Sequence, residues 1–261
     1  MPELLEVEAY RRLAEATIGR TITAVDAPDS WFLKGGLTAA ALADAVVGSA
    51  VRAARRRGKL LVVDLNGDRP ALGLRFGMTG RLMVDGRHGL DHLEYASRRE
   101  NEAWDRVIFH FDGGGSMRIR DPRRLGGVEL DPDEDLLGPD ATTIGLRQLR
   151  PILAHSRAPV KAVLMDQHRV AGLGNLMTDE ALWFAGIGPQ RPANQISDDE
   201  VRRLHRAIRR TVDVLGRRGG AHTGDHFSER HAEGRCPRDG AEMAWATVGG
   251  RSTWYCPAHQ T

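Results

Sequence analysis

The sequence predicts an α+β protein that begins as an antiparallel β-sandwich or barrel and continues as a helical segment ending in a β-hairpin. Three observations predict this class. Short apolar runs separated by Gly and Asp turns fill the region from Val51 to Arg120. Apolar residues at helical spacing dominate the chain after residue 141. Near the carboxyl end, two cysteine-containing pairs bracket a predicted hairpin.

The first half of the chain contains two predicted helices and a series of strands. Glu3–Thr17 has apolar residues at helical spacing and stops at Gly19, and Thr38–Val47 has a similar pattern. The predicted strands are Thr21–Asp26, Leu60–Leu65, Ala71–Phe76, Arg81–Val84, Arg106–Phe111 and Ser116–Arg120. We therefore expect an antiparallel sandwich with flanking helices.

An acidic segment separates this region from a helical one. Asp131–Asp140 carries five acidic residues and two prolines without any periodicity, which is typical of a domain linker. The helices predicted after it are Leu146–Ala154, Pro159–Gln167, Asp179–Ala185 and Asp198–Leu215, with Ser197 as the cap of the last.

Composition and charge limit the class of protein and its partners. The chain has 261 residues, 41% of them hydrophobic, and no apolar run approaches the ~20 residues that span a bilayer. It begins with no secretion-signal pattern, so we expect a cytoplasmic protein without a membrane partner. The net charge of +2 hides three basic clusters: Arg52, Arg55, Arg56, Arg57 and Lys59; Arg118, Arg120, Arg123 and Arg124; and Arg202, Arg203, Arg206, Arg209, Arg210, Arg217 and Arg218. One cluster can be a solvated face, but three favour a nucleic-acid partner.

The amino terminus carries a candidate nucleophile. Removal of Met1 would expose the secondary α-amine of Pro2 beside the carboxylate of Glu3. An α-amine titrates at about 7.7–8.0, so a part of it is unprotonated and nucleophilic at neutral pH. Such an amine beside a proton donor or acceptor can form a Schiff base with an aldehyde-level carbon. The other interpretation is a simple helix start, with Pro in the first turn and acids at the positive end of the dipole.

Three glycine-containing turns are candidate DNA contacts. Lys59 follows Gly58 at a strand start and could bind a phosphate, or it could be a surface lysine. Met78, in Gly77-Met78-Thr79-Gly80, could enter a base stack as an apolar wedge, although core filling is the usual role of Met. The turn that begins at Asp121 carries Arg123, which could pair with an orphaned base, and Leu125, a candidate second wedge.

Two further residues are candidate phosphate ligands. Asn175 opens a helix after the glycine-bearing string Val170-Ala171-Gly172-Leu173-Gly174, and amides at a helix start bind anions. Arg251 follows Gly249-Gly250 at the predicted hairpin turn and could reach a phosphate.

The carboxyl-terminal pairs have the spacing of zinc ligands. Cys236 and Asp239 form one pair, Cys256 and His259 form the other, and sixteen residues lie between the two pairs. In a reducing compartment two cysteines favour metal binding or burial over a disulfide. Asp is uncommon in a structural zinc site, which leaves the fourth ligand open. The alternatives are a histidine from the preceding segment (His222, His226 or His231) or a hairpin without metal.

Together these motifs resemble the formamidopyrimidine-DNA glycosylase / endonuclease VIII family of base-excision repair enzymes. The resemblance covers essentially the whole chain, through MPELLEVE, RGK, GMTG, DPRRLGG, VAGLGNLMTDEALWFAGIGP and GGRSTWYCP in the order of the family. It implies a catalytic β-sandwich domain at 1–130, an acidic linker at 131–141, a helix-two-turn-helix DNA-binding domain at 142–221 and a zinc-finger-like hairpin at 222–261. It also implies a monomer, associated with the nucleoid, that binds double-stranded DNA containing damaged bases or abasic sites.

The resemblance also implies residue roles. Pro2 resembles the nucleophile, Glu3 the acid/base residue, Glu6 a supporting carboxylate and Lys59 the lysine beside the damaged nucleotide. The void-filling residues correspond to Met78 and Arg123, with Leu125 at the position of the second wedge, and the phosphate ligands correspond to Asn175 and Arg251. One structural zinc ion per chain and no other cofactor are expected.

The implied activity is that of a DNA glycosylase and AP lyase working through a Schiff base and successive eliminations.

The sequence departs from the family at Leu5, usually Pro, and at Arg75, often His. Leu125 replaces an aromatic wedge, Asp239 and His259 replace cysteines, and the segment before Cys236 is short. The short segment and Leu125 favour oxidised pyrimidines, open-ring lesions or abasic sites over oxoguanine. A non-catalytic homologue that binds damaged DNA is the alternative, although it would not need Pro2 and Glu3.

Overall fold

The computed structural model describes residues 2–90, 93, 99 and 101–261. The chain divides between Glu134 and Asp135 into two compact units, within the segment predicted as a linker. Unit 1 retains the first residues of that segment, because Asp131 exchanges two hydrogen bonds with the backbone of Ala71 and Glu134 pairs with Arg55. The division into four predicted segments stays a prediction.

Unit 1 is an antiparallel sandwich with two flanking helices, which confirms the predicted class for this half. The helices are α1 (Leu4–Ala14) and α2 (Ala39–Val46). The strands are β1 (Ile22–Asp26), β2 (Val51–Arg57), β3 (Leu60–Leu65), β4 (Leu72–Arg75), β5 (Arg81–Val84), β6 (Arg87–His88), β7 (Asp105–Phe111), β8 (Ser116–Arg120) and β9 (Gly127–Leu130). Within the described residues, one sheet has the order β1-β7-β8-β5-β6 and the other β2-β3-β4-β9.

The alternation of apolar residues along the strands forms the core. In β7, Val107, Phe109 and Phe111 are buried while the residues between them are partly exposed. They join one apolar cluster with inward residues of the second sheet, such as Leu61 and Leu74. The sandwich therefore follows from the period of two expected of strands that bury one face.

The sequence pattern does not predict β2, β6 or β9. Four of the seven residues of β2 are arginines, which masks its apolar positions Val51 and Ala54. The other two are short, and β9 is defined by its pairing with β4 rather than by its own composition. The first helix is also shorter than predicted, because the chain tightens into a 3₁₀ turn over Glu15–Thr17.

The strand registers bring two connecting turns to the same end of the sandwich. The connection β4–β5 passes from one sheet to the other, and β8–β9 passes back. Arg75 at the end of β4 pairs with Gly127 at the start of β9, and Arg81 at the start of β5 pairs with Arg120 at the end of β8. The turns Gly77–Gly80 and Asp121–Gly126 must therefore lie side by side.

Unit 2 is helical and ends in an antiparallel hairpin. Its elements are α3 (Leu146–Ala154), α4 (Val160–Met165), α5 (Asn175–Ala185), α6 (Asp198–Arg218), β10 (Ala244–Val248) and β11 (Arg251–Tyr255). Ser197 caps α6 as predicted, and its backbone N–H donates to the Glu200 carboxylate at 2.8 Å. The helix runs three residues beyond its predicted end, to a left-handed Gly219. Among the described helices, none combines the length and hydropathy needed to cross a lipid bilayer.

Candidate active site

A cavity of about 210 Å³ in unit 1 brings together residues from four separate segments. Its lining residues are Pro2, Lys59, Arg75, Phe76, Gly77 and Leu125. Three of the residues singled out from the sequence, namely Pro2, Lys59 and Leu125, thus meet at one place. Pro2 is buried and Lys59 half-buried, so the pyrrolidine and the ammonium group share a partly desolvated space. The prediction that Met1 is removed concerns a residue outside the described part of the chain.

The start of α1 holds two buried carboxylates next to Pro2. Glu3 is completely buried and Glu6 is 3% exposed. The Glu6 carboxylate accepts a hydrogen bond from the backbone N–H of Glu3 at 2.8 Å, which ties the chain to the first turn of α1. Carboxylates are favoured there because the helix dipole and its unpaired N–H groups are positive at this end. Glu6 therefore fixes the backbone that carries Pro2 and Glu3.

Tyr10 links the same helix to the first connecting turn. Its hydroxyl donates to the carbonyl of Gly80 at 3.1 Å, and its ring lies 4.5 Å from that of Phe76. Burial, and after it the charge of Glu6, raises the pKa of the Tyr10 phenol far above its usual value, so it stays a hydrogen-bond donor. The position of α1 relative to the cavity is thereby fixed.

Lys59 reaches the cavity because of a glycine turn between β2 and β3. Gly58 has a φ of +57°, which glycine adopts without strain. Its carbonyl accepts a hydrogen bond from Arg56 at 2.8 Å. As predicted from Gly58, Lys59 projects from a turn rather than from a helix.

One buried carboxylate holds the two connecting turns together. Asp121 is completely buried, and its Oδ1 accepts from the hydroxyl of Thr79 at 2.6 Å and from the backbone N–H of Arg123 at 3.2 Å. Its Oδ2 accepts from the backbone N–H of Gly126 at 2.9 Å. The turns also touch directly, since a Cβ on Gly77 would lie 2.4 Å from the carbonyl carbon of Leu125.

The tips of these turns point outward. Met78 is half-buried, Arg123 is exposed and Leu125 is 51% exposed. Arg124, at a φ of +57°, donates two hydrogen bonds of 2.7 Å to Asp29, and this contact is the main cause that lowers the pKa of the Asp29 carboxyl. The loop is thus anchored on both sides of Leu125.

Sequence reasoning did not single out Asp121 and Asp29. For Asp121 the available signal is an Asp that begins a Pro-containing turn, a position where side chains accept bonds from the following backbone. Asp29 has a similar local signal, because it accepts from the backbone N–H of Trp31 at 3.2 Å, but nothing local indicates its bond to the distant Arg124. Both residues act on the site through the loop that they anchor.

The two predicted phosphate ligands lie in unit 2, near each other. Asn175 begins α5, and its amide donates to the carbonyl of Ser252 at 3.2 Å. Ser252 adjoins Arg251, which is exposed at the start of β11 after the Gly249-Gly250 turn. The helix start and the hairpin turn therefore present their donors at one place.

A buried charge cluster fixes this contact between α5 and the hairpin. Lys161 and Asp179 are both fully buried and form an ion pair of 2.6 Å. The Lys161 ammonium also donates to the hydroxyl of Thr253 at 2.6 Å, and Arg230 pairs with Asp179 from the other side. Because a buried charge without a partner is costly, these bonds hold the hairpin in one position.

The four predicted metal ligands form one cluster. The ligand atoms of Cys236, Asp239, Cys256 and His259 all lie within 4.8 Å of one another. The backbone N–H of Ala241, and after it the His259 ring, holds the pKa of the Asp239 carboxyl well below its usual range. Burial raises the pKa of the Cys256 thiol to about 11. Together these four residues could hold a metal ion.

Contacts around the cluster also favour a metal. His259 Nε2 lies 3.3 Å from the carbonyl of Trp183, so Nε2 can donate there, while Nδ1 faces the other ligand atoms and lies 2.7 Å from an Asp239 oxygen. The indole N–H of Trp183 lies 3.3 Å from the Cys236 sulfur. Among the described residues no further histidine joins the cluster: His226 instead contacts Glu180 at 2.6 Å. Asp239 is therefore the fourth candidate ligand.

Comparison with known proteins places both units in the same family of sequences. Residues 1–128 match the formamidopyrimidine-DNA glycosylase N-terminal domain, and residues 137–224 match the formamidopyrimidine-DNA glycosylase H2TH domain. The chain is 31% identical over 286 residues to the formamidopyrimidine-DNA glycosylase of Bacillus subtilis, covering 100% of this chain and 99% of that protein. It is 34% identical over 289 residues to that of Paracoccus denitrificans, covering 100% of both.

Solved structures of the Lactococcus lactis enzyme are similar along the whole chain. One is its complex with DNA that contains an abasic site, at a TM-score of 0.82, 28% identity and 100% coverage of both chains. Another is a mutant of the same enzyme with DNA that contains Fapy-dG, at a TM-score of 0.84, 27% identity and the same coverage.

Proposed function

Because this chain belongs to the formamidopyrimidine-DNA glycosylase family, we propose that it is a DNA glycosylase and AP lyase of base-excision repair. Its substrate is double-stranded DNA that contains damaged bases or abasic sites, the kind of DNA bound in the similar Lactococcus lactis structures. The observation that carries the proposal is the cavity where Pro2 meets Lys59 and Leu125, with the buried Glu3 next in the chain.

In this mechanism the Pro2 nitrogen, freed by removal of Met1, attacks C1′ of the damaged nucleotide. The N–C1′ bond forms as the glycosidic bond breaks, and the base leaves with a proton. The sugar ring then opens when the C1′–O4′ bond breaks and O4′ takes a proton, which leaves a cationic iminium on Pro2. Glu3 supplies and removes protons, as its place beside Pro2 allows.

The iminium then allows strand cleavage. As an electron sink it acidifies the hydrogen on C2′, so a base can remove that proton while the 3′ phosphate leaves with the C3′–O bond electrons. Loss of the C4′ proton and of the 5′ phosphate follows as a second elimination. Lys59, a cation in the cavity, would bind the phosphate beside the reacting sugar.

The wedge residues would open the duplex for this chemistry. Met78, Arg123 and Leu125 project from turns that Asp121 and Thr79 hold together. They would fill the space left when the damaged nucleotide is flipped out, at a cost of a few kcal/mol. Asn175 and Arg251 would bind the DNA backbone from unit 2.

Zinc would hold the base of the hairpin. Cys236, Asp239, Cys256 and His259 fit a tetrahedral ion in number, in type and in the closeness of their ligand atoms. We propose one structural zinc ion per chain, which stabilises the hairpin that carries Arg251. No step of the mechanism uses it.

Borohydride trapping tests the catalytic proposal. The native protein, incubated with an abasic-site duplex and reductant, should yield a covalent adduct, because the iminium is reduced to a stable amine. Pro2→Gly keeps an α-amine but loses the pyrrolidine ring, so its adduct yield, compared with that of the native protein, shows whether proline is required at this position. A protein with a tag that blocks the Pro2 nitrogen should bind DNA but give no adduct. If the native protein binds the duplex without any adduct, it is the non-catalytic homologue.

A panel of single-lesion duplexes tests the preferred base. With Leu125 in place of an aromatic wedge, and only a short segment before Cys236, we propose that oxidised pyrimidines, open-ring lesions and abasic sites are processed faster than oxoguanine. Single-turnover excision rates compare them directly. Faster excision of oxoguanine than of the other lesions would refute this preference.

A further inference from the structure

Unit 2 contains a second cavity, of about 220 Å³, with a strongly cationic lining. Its lining residues are Phe184, Arg203, Arg206, Ala207, Arg210 and Arg238. Three of the arginines lie on one face of α6, at positions i, i+3 and i+7, and Arg238 comes from the loop between Cys236 and Asp239. Two different elements therefore direct like charges into one space.

Most of these charges are not balanced by the protein. Within the described part of the chain, Arg206, Arg210 and Arg238 have no carboxylate at ion-pair distance, and Arg203 reaches Glu200 only at 3.8 Å. Elsewhere on α6, three arginines have a carboxylate partner, whereas among the described residues Arg209 has none. Arg202 bonds to Asp199, and Arg217 bonds to Asp213 at 2.8 Å.

Aromatic rings hold two of these guanidinium groups in place. Arg210 lies 4.3 Å above the centre of the Phe184 ring, and Arg238 lies 5.2 Å from that of Trp183. Stacking of this kind orders an arginine and leaves its N–H groups free to bind an anion. Because Arg210 covers a face of Phe184, this ring is poorly placed to stack on a nucleobase. The cavity therefore fits phosphates better than nucleosides.

This cavity is distant from the phosphate ligands described above. Phe184 is nine positions after Asn175 in α5, which corresponds to about 13 Å along the helix. Arg238 belongs to the base of the hairpin, whereas Arg251 lies at its turn. The two groups of donors thus lie at opposite ends of both elements.

We propose that this cavity binds backbone phosphates of a second DNA segment, separate from the one that carries the lesion. Arg203 and Arg210 are about 10 Å apart along α6, which exceeds the ~3.4 Å rise per phosphate of one strand along the duplex axis, so the arginines can contact more than one phosphate. Arginine forks match phosphate oxygens in bidentate geometry. Only the choice of DNA as the source of these phosphates rests on the proposed function. Such a contact would keep the enzyme on DNA while it moves between segments.

A ternary-complex assay tests the proposal. The protein is first mixed in equimolar amount with a short, unlabelled duplex that contains an abasic-site analogue. This complex is then titrated into a fluorescent undamaged duplex. We expect the fluorescence anisotropy of the second duplex to rise. The double variant Arg206→Ala/Arg210→Ala should abolish this rise, and Arg238→Ala, from the other element, should weaken it.

The double variant Arg202→Ala/Arg217→Ala is the matched control. It removes the same charge from the same helix, but from arginines that already have carboxylate partners, so the rise should remain. For undamaged duplex, the slope of log affinity against log salt should decrease by about two in Arg206→Ala/Arg210→Ala. Absence of a rise with the native complex, or an equal loss in both double variants, overturns the proposal. Failure to bind the first duplex would instead refute the proposed function.

Discussion

Replacing Asp121 with Asn should slow base excision while leaving the catalytic groups in place. Asp121 accepts three hydrogen bonds that join the two wedge turns, one from Thr79 and two from the backbone of its own loop. An amide has a similar shape but only one acceptor oxygen. Its NH₂ group must therefore face a donor, and one of the three bonds is lost.

The size of the effect follows from the burial of this site. Loss of a hydrogen bond to a buried charged group costs about 1.5–3 kcal/mol. If that energy disfavours the arrangement of Met78 and Leu125 that enters the duplex, excision should slow by about 10- to 100-fold. Cleavage of a preformed abasic site should slow less, since no base has to be unstacked there.

Single-turnover rates on a single-lesion duplex and on an abasic duplex measure both effects. Thr79→Val is the milder companion, since it removes one hydroxyl and leaves the backbone bonds of Asp121 intact, and Thr79→Ser should behave as the native protein. Thermal unfolding of each variant checks that it is folded. Native excision rates in a folded Asp121→Asn protein would refute the reasoning that preorganised wedge turns limit excision.

Three further predictions concern unit 2. The hydrogen bond from Arg191 lowers the pKa of Glu200 to about 2, so Glu200→Gln should reduce the free energy of unfolding by ~1–2 kcal/mol at neutral pH. Because the pKa of Glu200 in the folded protein lies below its ordinary 4.5, the stability difference between the native protein and Glu200→Gln should shrink as the pH falls from about 4.5 towards 2. Thermal melts over this pH range measure it, and a constant stability difference would contradict the role of the Arg191 bond. Asp239→Cys should keep about one zinc ion per chain and lose it to a chelator more slowly than the native protein does. Metal analysis before and after chelation measures both, and absence of zinc from both proteins would contradict the site. Lys161→Met should lower the free energy of unfolding in urea by ~1.5–3 kcal/mol because it removes one of the two cations that bind the buried Asp179, and an unchanged midpoint would exclude this role.

Local patterns predict most elements of the fold. The bounds of Leu60–Leu65, Arg81–Val84, Ser116–Arg120 and Leu146–Ala154 agree with the structure, because the first three are short apolar runs between turns and the last has apolar residues at helical spacing. Strand β2 escapes prediction because it is rich in arginine and because a register shift between Val51 and Ala53 puts its buried residues Val51 and Ala54 three positions apart. Whether a run becomes a strand here depends on its partner, which a local pattern cannot show.

The candidate site could be predicted residue by residue but not as a geometry. The resemblance to known glycosylases suggests roles for Pro2, Lys59 and Leu125, although nothing local in the sequence places them around one cavity. Their proximity depends on the registers of β4 with β9 and of β5 with β8. These pairings join distant parts of the chain, as does the bond of Thr79 to Asp121. Long-range register is therefore the information that local sequence reasoning lacks.

The three basic clusters show why charge in the sequence is a weak guide to a binding surface. In the first, Arg55 is bound to Asp64 and Glu134, and in the second, Arg120 is bound to Asp105. Such arginines hold the fold together and have little charge left for a partner.

An arginine without a carboxylate partner is a candidate ligand for an anion, but this property alone is not sufficient, since among the described residues Arg147, Arg157 and Arg209 also have no ion pair. Among the described residues, Arg123 and Arg251 have no ion pair, and both were selected from motifs as DNA ligands. Arg206, Arg210 and Arg238 share this property and also converge on one cavity. Convergence of unbalanced like charges is unfavourable unless an anion binds there, because their repulsion is not offset within the protein. Lack of a carboxylate partner, which Arg123 and Arg251 also show, together with convergence on one cavity thus favours a second phosphate site at the far end of α5.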